Sequence, residues 1–541
     1  MYVTGIDRYQ ADLMSMEDRI DKDNPVRVID AFVDVLILND LGFREEVPEY
    51  DPEKPCAKHL RNLGGRPSFK TKDLLKLYLY GYYNRIRSSR MLERECYRNI
   101  ELYWLIGAIT PNYHTIADFR KDHPDALKRV FNAFRKFLLN NELIAGEVIA
   151  VDGTKVRAVN SKKRNYNADK VNRHLKYIEN KTEEYMKQLD EMDAKETATD
   201  DYRIKKEEVQ AKIEKLKTNR AFYNNMAAQV AASDDGQVST TDPDSRSLLI
   251  RHNQVEVGYN IQCATDSKNS LIVHFDVTNE NDTKALYAVA QSAKYAVEKT
   301  DEDTIIVPAD TGYHNGGELV KCEINNIITL VPPKDYSQRG AIPTADFLFE
   351  KFTYNEEADT YTCPQGETLI TTGTWYMKDH GLYHGKKSTQ YKVKHYKTTA
   401  CTTCVMKQYC TKSTRPRLIE RSEYQDTVER NNARVKANRE LYSKRQQIVE
   451  HPFGTIKRAW GYYYTLLKGK DKINGEYALV FTVYNLRRSV SILGVNELIK
   501  RLKEFKNTLF KLFFNLTLHK RYWNENFLLV TGYRIGGNTI L

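Results

Sequence analysis

The spacing of apolar positions changes several times along the chain, and each change marks a new kind of element. In the first part the period is helical. PVRVIDAFVDVLILNDLGF has the pattern of an amphipathic helix closing on Gly42. From GGRPSFKTKDLLKLYLYGYYNRIRSSRMLERECYRNIELYWLI the apolar residues recur every three or four positions, with Arg85, Arg87, Arg90, Arg94 and Arg98 between them. HTIADFRKDHPDALKRVFNAFRKFLLNNELI adds more helix, with Thr115 as its N-cap. Residues 1–140 are thus expected to form a basic helical region. A basic face on short helices suits helix-turn-helix DNA binding, with Arg85, Arg87 and Arg90 as candidate contacts, and equally suits a solvated surface.

At EVIAVDGTKVRA the period falls to two, and the Asp-Gly pair signals a hairpin that would leave Asp152 at the end of a strand. Residues 145–167 therefore start a sheet. Residues 168–232 are charged and helix-forming with a break at ETATDD, the pattern of an inserted helical hairpin or coiled coil. The sheet resumes over 233–334. VEVGYNIQCATD and SLIVHFDVTN read as strands, DTKALYAVAQSAKYAVEK as a helix, TIIVPAD as a buried strand ending at Asp310, GGELVKCEINN as a short helix and NIITLVPP as a strand. Residues 335–415 are turn-rich and carry cysteines. Within 416–495 a long helix is expected from Ile419 to Trp460, bearing Tyr442, Arg445, Glu450 and Lys457, the last two seven apart and on one face. Residues 496–541 form a tail.

A chain of 541 residues is long enough for several domains. Its 83 Lys and Arg against 72 Asp and Glu give a formal charge of +11, which fits an anionic partner. The first twenty residues carry charges throughout, unlike a signal peptide, and the most apolar stretch, NTLFKLFFNLTLHK, is broken by Lys511, Asn515 and Lys520. A cytoplasmic protein that does not enter a membrane is expected. The eight cysteines do not resemble a secreted disulfide framework. Cys363 in a CPxG context, followed by Cys401, Cys404 and Cys410, could hold a structural zinc ion in a tetrahedral thiolate site; free thiols in a reducing cytosol are the alternative. Cys56, Cys96, Cys263 and Cys322 sit in apolar or helical text as core residues. There is no GxxxxGK[ST] loop for ATP and no nucleophile elbow.

If the strands near 150 and 305 are neighbours, Asp152 and Asp310 meet at one sheet edge, where α/β sheets place ligands. A helix carrying Glu450 to that edge would complete a cluster of three carboxylates, which cannot all ionise without counter-charge. Mg²⁺ suits hard oxygen ligands, and two such ions about 3.5–4 Å apart promote phosphodiester hydrolysis or transesterification; Mn²⁺ can substitute. Taken singly, each carboxylate could be an ordinary turn or surface residue.

The local text goes further. VDGTKV, ADTGYHN and VEHPFGTIKR resemble, in order, the three catalytic motifs of DDE transposases of bacterial insertion sequences. Within that superfamily the chain resembles the insertion-sequence eleven-eighty-two type, related to the IS-four superfamily. The resemblance spans residues 60–495 and includes GRPSFKTKDLLKLYLYGYYNRIRSSRMLE, HTIADFRK, TDPDSR, VGYNIQCATDSKNSLIV and EYALVFTVYNLRR. It implies an RNase H-like mixed sheet flanked by helices, with Asp152 on the first strand, Asp310 after the fourth and Glu450 on a following helix, all three acting as metal ligands. It also implies a tyrosine, arginine, glutamate and lysine signature, here Tyr442, Arg445, Glu450 and Lys457, although the gap from Arg445 to Glu450 is one residue longer than the common form. The activity implied is binding of inverted-repeat ends through residues about 60–140, metal-dependent cleavage, and joining of the 3′-hydroxyl to target DNA. A homodimer on DNA would hold both ends, with the 168–232 hairpin or the C-terminal region as contacts. Two other readings are a decayed or repurposed DNA-binding protein and a nuclease that cuts without joining.

Overall fold

The computed structural model describes residues 14–43, 68–194, 200–251, 254–333, 343–378, 382–383, 386–387 and 390–505. The ETAT part of the hairpin's break, Cys56, the apolar stretch near 507–520 and most of the tail lie outside the described residues.

The helical text at the start becomes α1 (Val26–Val35), α2 (Thr71–Tyr83), α3 (Ser89–Cys96), α4 (Ile100–Ile106), α5 (Tyr113–Asp122) and α6 (Pro124–Asn140). α1 stops earlier than its apolar pattern suggests: Leu36 is extended, and Gly42 serves a later turn with φ +80°. Asn112, not Thr115, caps α5, its side chain accepting from Thr115 N at 2.9 Å. Thr115 is then already helical, its amide being one of those that need an outside acceptor.

β1 (Ile149–Arg157), β2 (Asn165–Asn167), the hairpin helices α7 (Ala168–Asp193) and α8 (Asp200–Ala232), β3 (Gln237–Ser239), β4 (Arg246–Arg251), β5 (Gln254–Asp266) and β6 (Ile272–Thr278) follow. Then come α9 (Leu286–Ala296), β7 (Ile305–Pro308), α10 (Gly316–Ile324) and β8 (Ile327–Leu330). β1 runs antiparallel to β5, and β5 carries β6 and β4 along its other edge. On its free side β1 meets β7 through parallel bridges at Val148 with Ile306 and Val151 with Ala309, and β7 pairs in parallel with β8. The strand order β8, β7, β1, β5, β6 is that of a mixed α/β sheet. Asp152 lies inside β1, paired with Cys263, so the Asp-Gly text marks no hairpin.

The α7 and α8 hairpin leaves this sheet from the small β2 and β3 pair and has a separate core of Tyr166, Val171, Met226 and Val230. Residues 343–422 form a second small body. β9 (Thr353–Asn355), β10 (Thr360–Thr362), β11 (Thr368–Lys378), β14 (Tyr391–Lys397) and β15 (Ile419–Ser422) make one antiparallel sheet over Phe352, Tyr361, Leu369, Tyr396 and Ile419. β12 (Leu382–Tyr383) and β13 (Lys386–Lys387) pair beside it, and α11 (Lys407–Cys410) carries the last cysteine.

The helix expected from Ile419 to Trp460 is several pieces: β15, then α12 (Gln425–Ala437), a break at Asn438, α13 (Arg439–Phe453) and a π-helical turn, Gly454–Ala459. Pro452 explains the last change. It has no amide to give the ladder and its ring crowds the preceding turn, so the helix widens after it. α14 (Lys470–Leu493) is buried along most of its length and packs against α6, with Gly475 so near Pro124 that a Cβ there would stand 2.6 Å from its Cα. One hydrophobic core therefore joins the helical start of the chain, the sheet and α14. Among the described residues no helix is long and apolar enough to cross a membrane.

Candidate active site

Asp152 and Asp310 are brought together by the sheet. Each follows a residue of the Val151 and Ala309 bridge between β1 and β7, so the two carboxylates stand on adjacent strands, whose spacing is about 5 Å. Local backbone donors orient them: Gly153 N donates to Asp152 Oδ1 at 2.8 Å, and Gly312 N to Asp310 Oδ1 at 2.8 Å, making Asp310 the cap of the turn Thr311–Tyr313. Burial, and then the charge of Asp310, push the Asp152 carboxyl up to about 7, while Arg445 opposes them.

α13 lies on β1 through Ile448 and Val449, which pack on Ala150. Arg445 shares that face, with Nη1 3.8 Å from Asp152 Oδ2 and its guanidinium 5.7 Å from the Tyr442 ring. Glu450 does not share it. At about 100° per helical residue, five residues from Arg445 turn Glu450 about 140° away. It is exposed, accepting from Gln446 Nε2 at 2.8 Å. Among the described residues no group of three or more His, Cys, Asp or Glu side chains is arranged to hold a metal ion. The expected trio is thus present as a pair, with Arg445 beside it. Lys457, on the π turn, reaches back to Lys155 O at 2.9 Å, so the seven-residue spacing from Glu450 does not give a continuous α-helical face.

Asp282 was not singled out by its sequence, yet its charge acts on Asp152. The signal that could have found it was Asn260 and Gln262, polar residues alternating inside the otherwise apolar GYNIQCA strand.

The N-terminal candidates divide. Arg85 is exposed in the turn after α2, and Arg90 is exposed with its guanidinium 4.7 Å from the Tyr113 ring. Arg87 is not a surface residue. It is 7 % exposed and pairs with Glu476, 0 % exposed, while donating to Tyr464 O at 2.7 Å and lying between the rings of Tyr462 and Tyr464 at 4.5 and 4.9 Å. Its partner lies on α14, far along the chain, and no local pattern reveals such a contact.

Cys363, Cys401, Cys404 and Cys410 line one small cavity with Phe347, Phe352 and Leu369. Burial raises the Cys410 thiol, and the other three cysteines raise it further against Arg417. Cys96, Cys263 and Cys322 are buried.

Comparison with known families adds to this geometry. Residues 362–490 match a family described as "Transposase DDE domain", and residues 14–122 match "Transposase domain (DUF772)". Both are transposase domains. The matches support a DDE transposase family and transposase function for the chain. The first takes in the four clustered cysteines, α13 with Glu450, and most of α14, but neither Asp152 nor Asp310. No curated protein matches the sequence. Among solved structures, the piggyBac transposase synaptic complex with hairpin DNA is 9% identical, with 96% of this chain and 87% of that one covered and a TM-score of 0.29.

Proposed function

We propose that the protein is a DDE transposase that binds the ends of its insertion sequence, cuts there by metal-dependent hydrolysis and joins the 3′-hydroxyl to target DNA. The observation that carries this reading is the Asp152 and Asp310 pair on adjacent strands. Two carboxylates are held on adjacent strands, burial disfavours the charge of Asp152, and Arg445 offers counter-charge. Such a donor set, hard oxygens short of positive charge, fits Mg²⁺ or Mn²⁺. The order β8, β7, β1, β5, β6, with α9 and α10 as crossovers and α13 laid on β1, supports an RNase H-like core.

Asp152 and Asp310 would hold the metal, and Glu450, which stands off their side of α13 here, would have to turn inward to serve as the third carboxylate. When bound, the divalent metal supplies charge neutralisation and an activated attacking oxygen at phosphorus. Arg445, 3.8 Å from Asp152, would clamp a phosphate, for which its planar fork suits it. Tyr442, whose ring lies near that guanidinium, offers a surface for base stacking. Lys457, Arg85 and Arg90 remain candidate phosphate contacts, whereas the burial of Arg87 assigns it to the joint between α2 and α14. Two copies of the chain would hold the two DNA ends. The four cysteines line one cavity without forming a metal-holding cluster in this structure, and drawn together they would hold one structural zinc.

The position of Glu450 off the Arg445 face favours a second reading, a DNA-binding protein without catalysis. Incubating the protein with a labelled duplex of its own element end, target DNA and Mg²⁺ separates the readings. A transposase gives boundary cleavage and joined product, both abolished by Asp310→Ala. Binding without cleavage leaves the second reading, and cleavage without joined product leaves a nuclease.

A further inference from the structure

Gly153, the neighbour of Asp152, has no room for a side chain. A Cβ there would stand 2.4 Å from Asp282 Oδ1, 2.8 Å from Gln262 Nε2 and 2.9 Å from Asn260 Oδ1. Three polar groups therefore lie directly over the residue that follows the first carboxylate. Gln262 and Asn260 come from β5, opposite Gly153 and Lys155 in register, and both are fully buried. Asp282 opens the helical turn before α9, and its Oδ1 accepts from Asn260 Nδ2 and Gln262 Nε2, each at 2.8 Å. Asn260 Nδ2 also donates to Glu280 O at 2.9 Å, and Lys155 Nζ lies 3.6 Å from Asp282 Oδ2.

Committing Nε2 of Gln262 to a carboxylate fixes which way its amide faces. Oε1 is then turned to accept from Tyr313 Oη, which is fully buried. Tyr313 ends the turn that Asp310 begins, its N donating to Asp310 O at 3.2 Å while Gly312 N holds Asp310 Oδ1. A continuous chain of hydrogen bonds thus runs from Asp282 through Gln262 and Tyr313 to the turn that presents Asp310. Gln262 is the amide in this chain, so reversing it would break both of its bonds at once.

We propose that Asp282, Gln262 and Tyr313 are positioning residues that set Asp310 against Asp152, and that none of the three is itself a metal ligand. The inference rests on the reading of that pair as a metal site. Outer groups that orient a ligating carboxylate characteristically change metal affinity by about 10- to 100-fold when removed.

The test is Mn²⁺ binding to the metal-free full-length protein without DNA, followed by the loss of the free-ion electron paramagnetic resonance signal, with melting curves in chelator alongside. Tyr313→Phe keeps the ring and deletes one donor; Gln262→Glu keeps the acceptor for Tyr313 but sets a carboxylate against Asp282. Each is expected to weaken Mn²⁺ binding at least tenfold. The double variant Gln262→Glu with Asp282→Asn exchanges donor and acceptor within the relay, and is expected to recover most of the lost affinity. Single variants that bind as the wild type does would overturn the proposal. So would a double variant that melts as the wild type does yet binds as weakly as Gln262→Glu, because the charge of Asp282 itself would then be what matters. Failure of the wild type to bind Mn²⁺ would remove the metal site and the relay with it, an outcome distinct from either of these.

Discussion

The carboxyl of Asp152 sits where its own fold resists ionisation. Burial acts first and Asp310 second, and together they outweigh Arg445 and move it to about 7. In the unfolded chain the same group ionises in the ordinary aspartate range, so between that range and about 7 the folded protein holds a proton that the unfolded one has released. Stability of the metal-free protein therefore falls as pH rises across this window, and the penalty is complete above about 7. Asp152→Asn removes it. In chelator the variant is expected to match the wild type near pH 4 and to exceed it by up to about 4 kcal/mol above pH 7, at ~1.4 kcal/mol per pH unit. Denaturation midpoints measured across pH check this, and a constant difference would show that the carboxyl is not held neutral. Asp310 was legible in the sequence from a strand ending and motif text, and Asp152 from motif text alone, since it lies inside β1 and not at a strand end. Asp282 was not, since its meaning depends on two amides from another strand.

At the scale of elements, α14 holds the molecule together through an ion pair. Glu476 meets Arg87 and also accepts from Leu466 N at 3.0 Å, while Arg120 lies close by, bonded to Tyr82 Oη at 2.8 Å. Glu476 thus pairs with one buried guanidinium, and its charge acts on a second, that of Arg120. Glu476→Gln keeps the shape and removes the charge, which is expected to cost about 3–5 kcal/mol, since unpaired buried cations remain. A chemical-denaturation midpoint little changed from wild type would contradict that role. The arginine run after α2 was readable as basic, but no helical spacing tells a solvated arginine from one that turns inward to a distant glutamate. The same limit applies to α13. Its apolar pattern announced one long helix, and the effects of Asn438 and Pro452 on its path belong to the backbone rather than to hydrophobic periodicity.

Across the whole molecule, the insertions behave as separate bodies on a common frame. The hairpin of α7 and α8 and the cysteine-bearing sheet each have a small core of their own, while the helical start, the central sheet and α14 share one. Alternation of strand and helix text over 233–334 gave the order of the central sheet's later elements, because each is short, regular and bounded by turns. The parallel contact of β1 with β7 is beyond the reach of local pattern, because it joins segments separated by the hairpin insertion. The small core under the cysteines, five buried residues, is thin support for a five-stranded sheet, so metal ligation has much to contribute there. Purified protein is expected to contain one zinc per chain by elemental analysis. Cys404→Ser should lose it and expose residues 343–422 to proteolysis while leaving the central core resistant. Zinc-free protein with that segment equally resistant would contradict the assignment.

The most direct measurement is the single-turnover cleavage rate on a labelled element end in Mg²⁺ for Asp152→Asn, Asp310→Asn and Glu450→Gln, with DNA binding measured in parallel. Each rate is expected to fall by about 100-fold or more while binding persists, because under the proposal each carboxylate would be one ligand of the metal. Glu450 is the sharpest of the three, since in this structure it stands off the face that carries Arg445. Wild-type cleavage by the Asp310 variant, or by the Glu450 variant, would contradict the three-carboxylate site.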